Sequence, residues 1–221
     1  MKCLRFELFT HTGIFKTPFS IKGIETYPLP PYSTIIGLLY TALGRKWQGE
    51  TFDISIQGSH EAIFRDYVRF RKYNFKDKAL ETLPLEVPIL YNLRLIIHLR
   101  GDEDLLGEFE RALKRPYVYL YLSGGEYPVK VLGAKFVELE KMRIDFIELD
   151  RSAYVPVDLH RKLIVSPSGI LYLMPAFLKK GPNREHHWTQ VYYLQKGTVV
   201  EEGIVFVDKE GGFPVWLSSF T

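Results

Sequence analysis

Residues Leu93 to Arg100 alternate without a break. Leu93, Leu95, Ile97 and Leu99 fall on one side of an extended chain, and Arg94, Ile96, His98 and Arg100 on the other. Successive side chains of a strand point to opposite faces, so this period predicts a strand with one face buried in a core. The segment 2–9 repeats the pattern, with Leu4, Phe6 and Leu8 against Arg5 and Glu7. Strands of this kind need a cover for their apolar face, and the sequence supplies two helices. The first runs from Thr34 to Leu43, opened by Tyr32 or Ser33 and closed by Gly44, and it is apolar nearly all round. The second spans 102–115. Acidic Asp102, Glu103 and Asp104 stand where the helix dipole favours negative charge, Leu105, Phe109, Ala112 and Leu113 form its stripe, and Pro116 stops it.

A short strand at Ile54–Ile56, another at Tyr117–Leu122 and an extended run from Val129 to Val137 complete the first half. Strand, helix, strand, strand, helix, strand is the ferredoxin-like order, shared with the RNA-recognition motif. The expected class is α+β. A ferredoxin-like domain over residues 1–140 carries a long arm inserted at about 62–91, and a small, mostly β domain follows over 141–221. In that second part, short strands at 154–157, 170–174, 189–194 and 203–207 alternate with Gly and Pro turns.

Composition narrows the classes. Of 221 residues 46% are hydrophobic, enough to build a core. No apolar run reaches the roughly 18–20 residues that span a bilayer, so no membrane association is expected. Lys2, Arg5 and Glu7 interrupt the first apolar segment, which argues against a signal peptide and for a cytoplasmic protein. Cys3 is the only cysteine, which rules out an internal disulfide and any multi-cysteine metal site. The net charge of +3 says little; the distribution says more.

Particular stretches of this sequence are more specific. Gly13-Ile14-Phe15-Lys16-Thr17-Pro18 leads through Tyr27-Pro28-Leu29-Pro30-Pro31-Tyr32-Ser33-Thr34-Ile35-Ile36-Gly37-Leu38-Leu39 to Ala42-Leu43-Gly44. This opening resembles the RAMP protein subunit of Cascade, the fifth Cas family, in which a Pro-Pro-Ser-Thr segment enters a Gly-Leu-Leu helix that ends in Gly. Pro116 to Glu126 resembles the family's strand running into a Leu-Gly-Arg-Ser-Glu type turn, with Ser123 and Gly124 here in place of Gly-Arg. The resemblance is looser in the C-terminal half, around Leu173-Met174-Pro175. It implies a CRISPR antiviral role, without cofactors. The protein would cap the 5′ handle of the mature crRNA and touch the backbone subunit and the large subunit of Cascade, and through them, indirectly, target DNA. Most members are not catalytic. In one subtype the member itself cleaves repeat RNA without metal, using Tyr, Lys and His.

The arm carries the densest chemistry. Arg65, Arg69, Arg71, Lys72, Lys76 and Lys78 stand against Asp66 and Asp77, a local charge of +4, with Phe64, Tyr67, Phe70, Tyr73 and Phe75 between them. Cations neutralise phosphates and aromatic rings stack on unpaired bases, so Arg65, Arg69, Arg71, Lys72 and Lys76 are RNA-binding candidates. On the strength of the resemblance, Lys16 and Lys22 in the first loop join them. So does the turn Ser123-Gly124-Gly125, whose backbone N–H groups suit close approach to a phosphate. Tyr117, Tyr119 and Tyr121 would share one strand face, expected as an interface to the β domain rather than a stacking platform. His186-His187 lacks companion ligands and is not expected to hold a metal. The basic loop Lys179-Lys180-Gly181-Pro182-Asn183-Arg184 before it is expected at the surface. The expected protein is therefore a scaffold without catalytic residues. The alternative is a metal-independent endoribonuclease, with His98 as general base and Arg94 or Arg100 stabilising charge; no Lys-His dipeptide resembling the processing subtype occurs.

Overall fold

β1 (Lys2–Gly13) and β4 (Ala79–Arg100) lie side by side, antiparallel, with Leu4 opposite Leu99, Phe6 opposite Ile97 and Leu8 opposite Leu95. All six side chains are buried, as the alternation requires. The computed structural model describes residues 1–18, 24–123, 127–178 and 185–220, apart from the side chains of Phe70 and Leu178. Lys22, Gly124, Gly125 and the loop 179–184 lie outside the described residues.

The remaining elements are α1 (Tyr32–Leu43), β2 (Asp53–Ser59), β3 (Ala62–Asn74), α2 (Glu103–Lys114), β5 (Lys130–Glu148), β6 (Ser152–Pro156), α3 (Val157–His160), β7 (Ile164–Ser166), β8 (Ile170–Leu178), β9 (His186–Leu194), β10 (Val199–Asp208) and β11 (Pro214–Val215). The strands make one antiparallel sheet in the order β11-β10-β5-β1-β4-β2-β6-β9-β8. β3 is paired to the upstream half of β4, and β7 to β10. At its centre β5-β1-β4-β2 are neighbours, α1 connects β1 to β2, and α2 connects β4 to β5.

Both helices form for local reasons. Asp102 caps α2 by accepting hydrogen bonds from the N–H groups of Asp104 and Leu105, and Leu105, Leu106, Phe109, Ala112 and Leu113 are its buried stripe. α1 ends at Gly44, whose φ of 71° is left-handed. A Cβ there would fall 2.5 Å from the Tyr117 ring, so glycine serves both the turn and the close approach. The helices meet through Tyr40 and Phe109, whose ring centroids lie 5.5 Å apart, edge to face.

The segment 117–122 departs from expectation. It is not a strand of the sheet: Tyr121 makes an isolated bridge with Pro128, and the Tyr117 N–H bonds to the Ala42 carbonyl at the end of α1. The place beside β1 belongs to β5. Leu120 and Leu122 are buried, while Tyr117, Tyr119 and Tyr121 are exposed. From Tyr119 to Leu122 the period of two is thus obeyed by burial without a ladder, although Val118 is exposed, and the tyrosines face solvent. The division expected at residue 140 falls within β5, which pairs with β1 upstream and β10 downstream. Tyr154, Met174, Phe177, Val191 and Tyr193 share the core of α1, and a further cluster surrounds the buried Trp216.

The chain's own last segment covers part of the face of the central strands turned away from the helices, over Ser55, Gln57 and His98, while Arg94 on the same face stays exposed. The Gln57 amide donates to the Pro214 carbonyl at 2.9 Å, the Trp216 N–H to Ser55 Oγ at 3.1 Å, and Ser218 and Ile54 exchange backbone hydrogen bonds. Asp208 anchors this cover. Its Oδ2 accepts from His98 Nε2 at 3.1 Å and from Arg5 at 2.8 Å, and its Oδ1 accepts from the N–H groups of Glu210 and Gly211.

Burial lowers the proton affinity of His98, outweighing the neighbouring Asp208 charge that acts to raise it, so the ring is neutral. For Asp208 burial acts upward, but the hydrogen bonds from His98, Gly211, Arg5 and Glu210 win and hold the carboxyl well below the usual range. Both shifts are downward, so in both cases the unfolded chain binds the proton first as pH falls. Stability should drop as pH falls below about 6.5, through His98, and again below about 4, through Asp208. Thermal unfolding followed from pH 8 to pH 3 tests this: His98→Gln should flatten the upper slope. Asp208→Ala, which strips Arg5 and His98 of their partner, should cost about 3 kcal/mol or more.

Candidate nucleic-acid interface

The arm expected at 62–91 is the hairpin of β3 with the upstream half of β4, paired without interruption from Ala62 opposite Tyr91 to Asn74 opposite Ala79. β1 accompanies β4 only as far as Leu90. Beyond that point the arm is a two-stranded ribbon. Asn74 shapes its tip, accepting from the Lys76 N–H at 3.0 Å and donating to Asp77 and Glu81. Pro84 and Pro88 oppose Arg69 and Arg65 on an edge where a missing N–H is tolerated.

Residues directly opposite one another share a face, so the pairing sorts the candidates. Arg65, Tyr67, Arg69, Arg71 and Tyr73 lie on one face of the hairpin. Phe64, Val68, Leu83, Leu85 and Val87 lie on the other, joined towards the tip by Lys72 opposite Glu81. One face is basic and aromatic, the other mainly apolar. Tyr67 is 69% exposed and Phe75, in the turn, 85%. Arg65 is paired to Glu86, which also accepts from the Tyr67 hydroxyl. That pair holds the Glu86 carboxyl below its usual range, chiefly through the Arg65 hydrogen bond. Glu81 and Glu86 on the return strand reduce the arm's net charge from +4 to +2. Arg69, Arg71, Lys72 and Lys76 have no acidic partner among the described residues.

At the root of the arm is a groove of about 500 Å³ whose lining includes Lys16, Ser33, Thr34, Val68, Val87 and Ser123. Ser33 and Thr34 belong to the first turn of α1, which begins after Pro31 with no side-chain cap, so its first N–H groups keep their partial positive charge. Ser123 has φ of 64°, a left-handed conformation uncommon outside glycine. The structure thus brings Lys16 and Ser123 together, though they are far apart in sequence. It does not bring them to the arginines. Val68 and Val87 turn the apolar face towards the groove, leaving Arg65, Arg69 and Arg71 on the far side of the hairpin. Ser33 and Thr34 were not singled out as contacts from sequence, although their Pro-Pro-Tyr-Ser-Thr run marked the place.

His98, the general base of the alternative reading, is fully buried beneath Asp208 and Phe213, out of reach of a substrate. Among the described residues no group of three or more His, Cys, Asp or Glu side chains is placed to hold a metal ion. No helix among them is long and apolar enough to cross a membrane.

Residues 3–196 match the family model described as CRISPR-associated protein (Cas_Cas5). The chain belongs to this family. No curated protein matches it in sequence. Solved structures share its fold at low identity. One described as a Cas protein is 18% identical with a TM-score of 0.52, matching 90% of this chain and 95% of its own. One from a CRISPR RNA-guided surveillance complex is 12% identical with a TM-score of 0.56, over 90% and 91%. A CRISPR protein from Archaeoglobus fulgidus is 15% identical with a TM-score of 0.52, over the whole of both chains.

Towards its tip, past the buried Ile89 and Val87, the ribbon is largely exposed and has few apolar contacts outside itself, so it opens more readily than the sheet that carries it. Backbone amides of residues 66–86 should exchange with solvent markedly faster than those of 94–99 in the free protein, measured by hydrogen exchange. Equal protection would show that the arm is held by more than its own ladder.

Proposed function

We propose that this protein is a non-catalytic RNA-binding subunit of a CRISPR effector complex, holding the 5′ handle of the guide RNA. The observation that carries this reading is the sorting of the arm into a basic, aromatic face and an apolar face. Arg65, Arg69 and Arg71 alternate with Tyr67 and Tyr73 on the first, a pattern suited to phosphates with unpaired bases between them. The tip end of the apolar face, with Leu83 54% exposed, suits a neighbouring protein subunit, while Val87 and Ile89 nearer the root are buried. The groove with Lys16, Ser33 and Ser123 is a second place for the RNA backbone at the root of the arm. Family membership supports the CRISPR setting, and the fold shared with a chain of a surveillance complex supports a place in such an assembly. The backbone and large subunits are the expected protein neighbours, with target DNA reached only through the complex.

The central order β5-β1-β4-β2, with α1 and α2 as connections, supports a ferredoxin-like unit in which the arm is an insertion before its third strand. In an RNA-recognition motif the open sheet face meets RNA. Here residues 208–216 lie across part of that face, over Ser55, Gln57 and His98, which favours the arm as the RNA surface.

Each phosphate neutralised on a single strand contributes about −0.7 to the slope of log affinity against log salt. Arg69→Ala with Arg71→Ala, both on the basic face, should therefore flatten that slope by about 1.4 for single-stranded repeat RNA. The loss should be similar for unrelated sequences, since phosphate contacts carry little sequence information. Lys72→Ala, on the other face, should change it less. Fluorescence anisotropy on the isolated protein over a salt series reads this directly. An unchanged slope in the double variant would assign the arm to protein contacts. Repeat RNA should stay intact in the same samples; cleavage would replace the scaffold reading with the endoribonuclease.

A further inference from the structure

A larger groove lies away from the arm. Its volume is about 710 Å³, and its lining draws on β5, β10, β7, α3 and the stretch after β11. The strand pairing explains its character. Lys141 opposes Phe206 and Arg143 opposes Ile204, so these four side chains share one face of the β5-β10 ladder. β7 extends that ladder with Ile164 opposite Glu202. Ile204 is 56% exposed and Ile164 54%, an aliphatic floor on an edge that no described part of the chain covers. Gly203 has no Cβ, which lets Leu163 pack closely against the opposite, buried face of β10, in the cluster that includes Val205.

The rim is positive. Arg143 is joined to Glu202 at 2.6 Å, and Arg100 is paired to Asp53, but Lys141 and Lys162 have no acidic partner among the described residues. Two unpaired ammonium groups beside an aliphatic floor call for an occupant that is both acidic and apolar. A nucleic acid satisfies only the first requirement. The groove's one aromatic ring, Phe206, already lies beneath the Arg100 guanidinium at 5.6 Å, so an incoming base has no free ring to stack on. A peptide meets both requirements, through its carboxylates and its aliphatic side chains.

We propose that this groove docks an acidic segment of a partner protein, its carboxylates on Lys141 and Lys162 and its aliphatic side chains on Ile164 and Ile204. The site is separate from the arm and does not depend on how the arm binds RNA.

The test uses the full chain and a short fluorescein-labelled peptide of alternating aspartate and leucine, read by anisotropy. The wild-type protein should bind it, more weakly as salt is raised. Lys141→Glu with Lys162→Glu should lower that affinity by about tenfold or more, and Ile204→Asp should also weaken it. Arg69→Ala with Arg71→Ala should leave it unchanged. The substituted residues are exposed, and matching thermal unfolding curves verify that each variant is folded. For a direct readout, Lys162→Cys carries a maleimide benzophenone. Cys3 is buried and burial pushes its thiol up to about 12, so the label goes to position 162 alone. Irradiation should join the peptide there. No binding by the wild type, or equal binding by Lys141→Glu with Lys162→Glu, overturns the proposal. So does a uridine oligonucleotide that loses as much affinity as the peptide in that variant, which would make the groove a nucleic-acid surface.

Discussion

Much of this structure depends on the continuity of β4. Its 22 residues serve two environments in one run of backbone. From Leu93 to Arg100 it lies between β1 and β2, with Leu93, Leu95, Ile97 and Leu99 buried under the helices. From Ala79 to Tyr91 it is half of the arm, with β3 alone beside it past Leu90. No hinge residue separates the two uses, although Asn92, with φ of 49°, marks where the partner changes from β2 to β3. The direction of the arm is therefore set by a strand whose other half is held in the centre of the sheet, between β1 and β2. Sites built on such an element are more precisely placed than sites on loops.

The second constraint is the cover on the other face of the sheet. It is held by polar groups rather than by an apolar layer alone: Ser55, Gln57 and His98 on the sheet meet Asp208, Pro214 and Trp216 on the last segment. Buried polar groups are costly unless paired, so these contacts fix where the segment lies as well as holding it there. One consequence is chemical. A histidine that looks suited to acid–base work on a bare strand is committed here to Asp208 and shut away from solvent. Another is that the sheet face beneath this segment is closed, which is why the proposed RNA surface lies on the arm and in the groove at its root.

These cases show what the sequence makes legible. The segment 62–91 stood out because its charge and interleaved aromatics, with Pro84 and Pro88 excluding a regular helix, leave it little core of its own; the pairing that joins its two strands is given by the fold. α2 was readable because Asp102, the stripe from Leu105 to Leu113 and Pro116 are local signals. The segment 117–122 was misread because alternation records burial, and Leu120 and Leu122 are buried without a partner strand. The cover by residues 208–218 was not readable at all. His98 and Asp208 stand 110 residues apart, and no local pattern records a pairing between single polar residues at that distance. For the same reason the site was only half visible. Lys16 and Ser123 were named separately, but their meeting in one groove is a product of the fold. A count of charge along 62–78 missed Glu81 and Glu86, which stand across the ladder from those residues.

The pairing of the arm bears on how it binds. A ribbon of two strands is marginally stable by itself in water, and an unpaired loop of the same composition would have to be ordered on contact. Here the ladder from Ala62–Tyr91 to Asn74–Ala79 is already formed and is anchored in the central strand, so contact with a partner orders side chains more than backbone. The ladder also keeps the two kinds of contact apart. Arginines and tyrosines on one face cannot be drawn into an apolar interface on the other without breaking the pairing, because a shift of one residue would exchange the faces of β3. One strand pair thus presents a basic, aromatic surface and an apolar surface at once, with their separation fixed by the thickness of a single ribbon. On the proposed reading, that geometry would let one element hold a nucleic-acid strand on one side and a protein on the other.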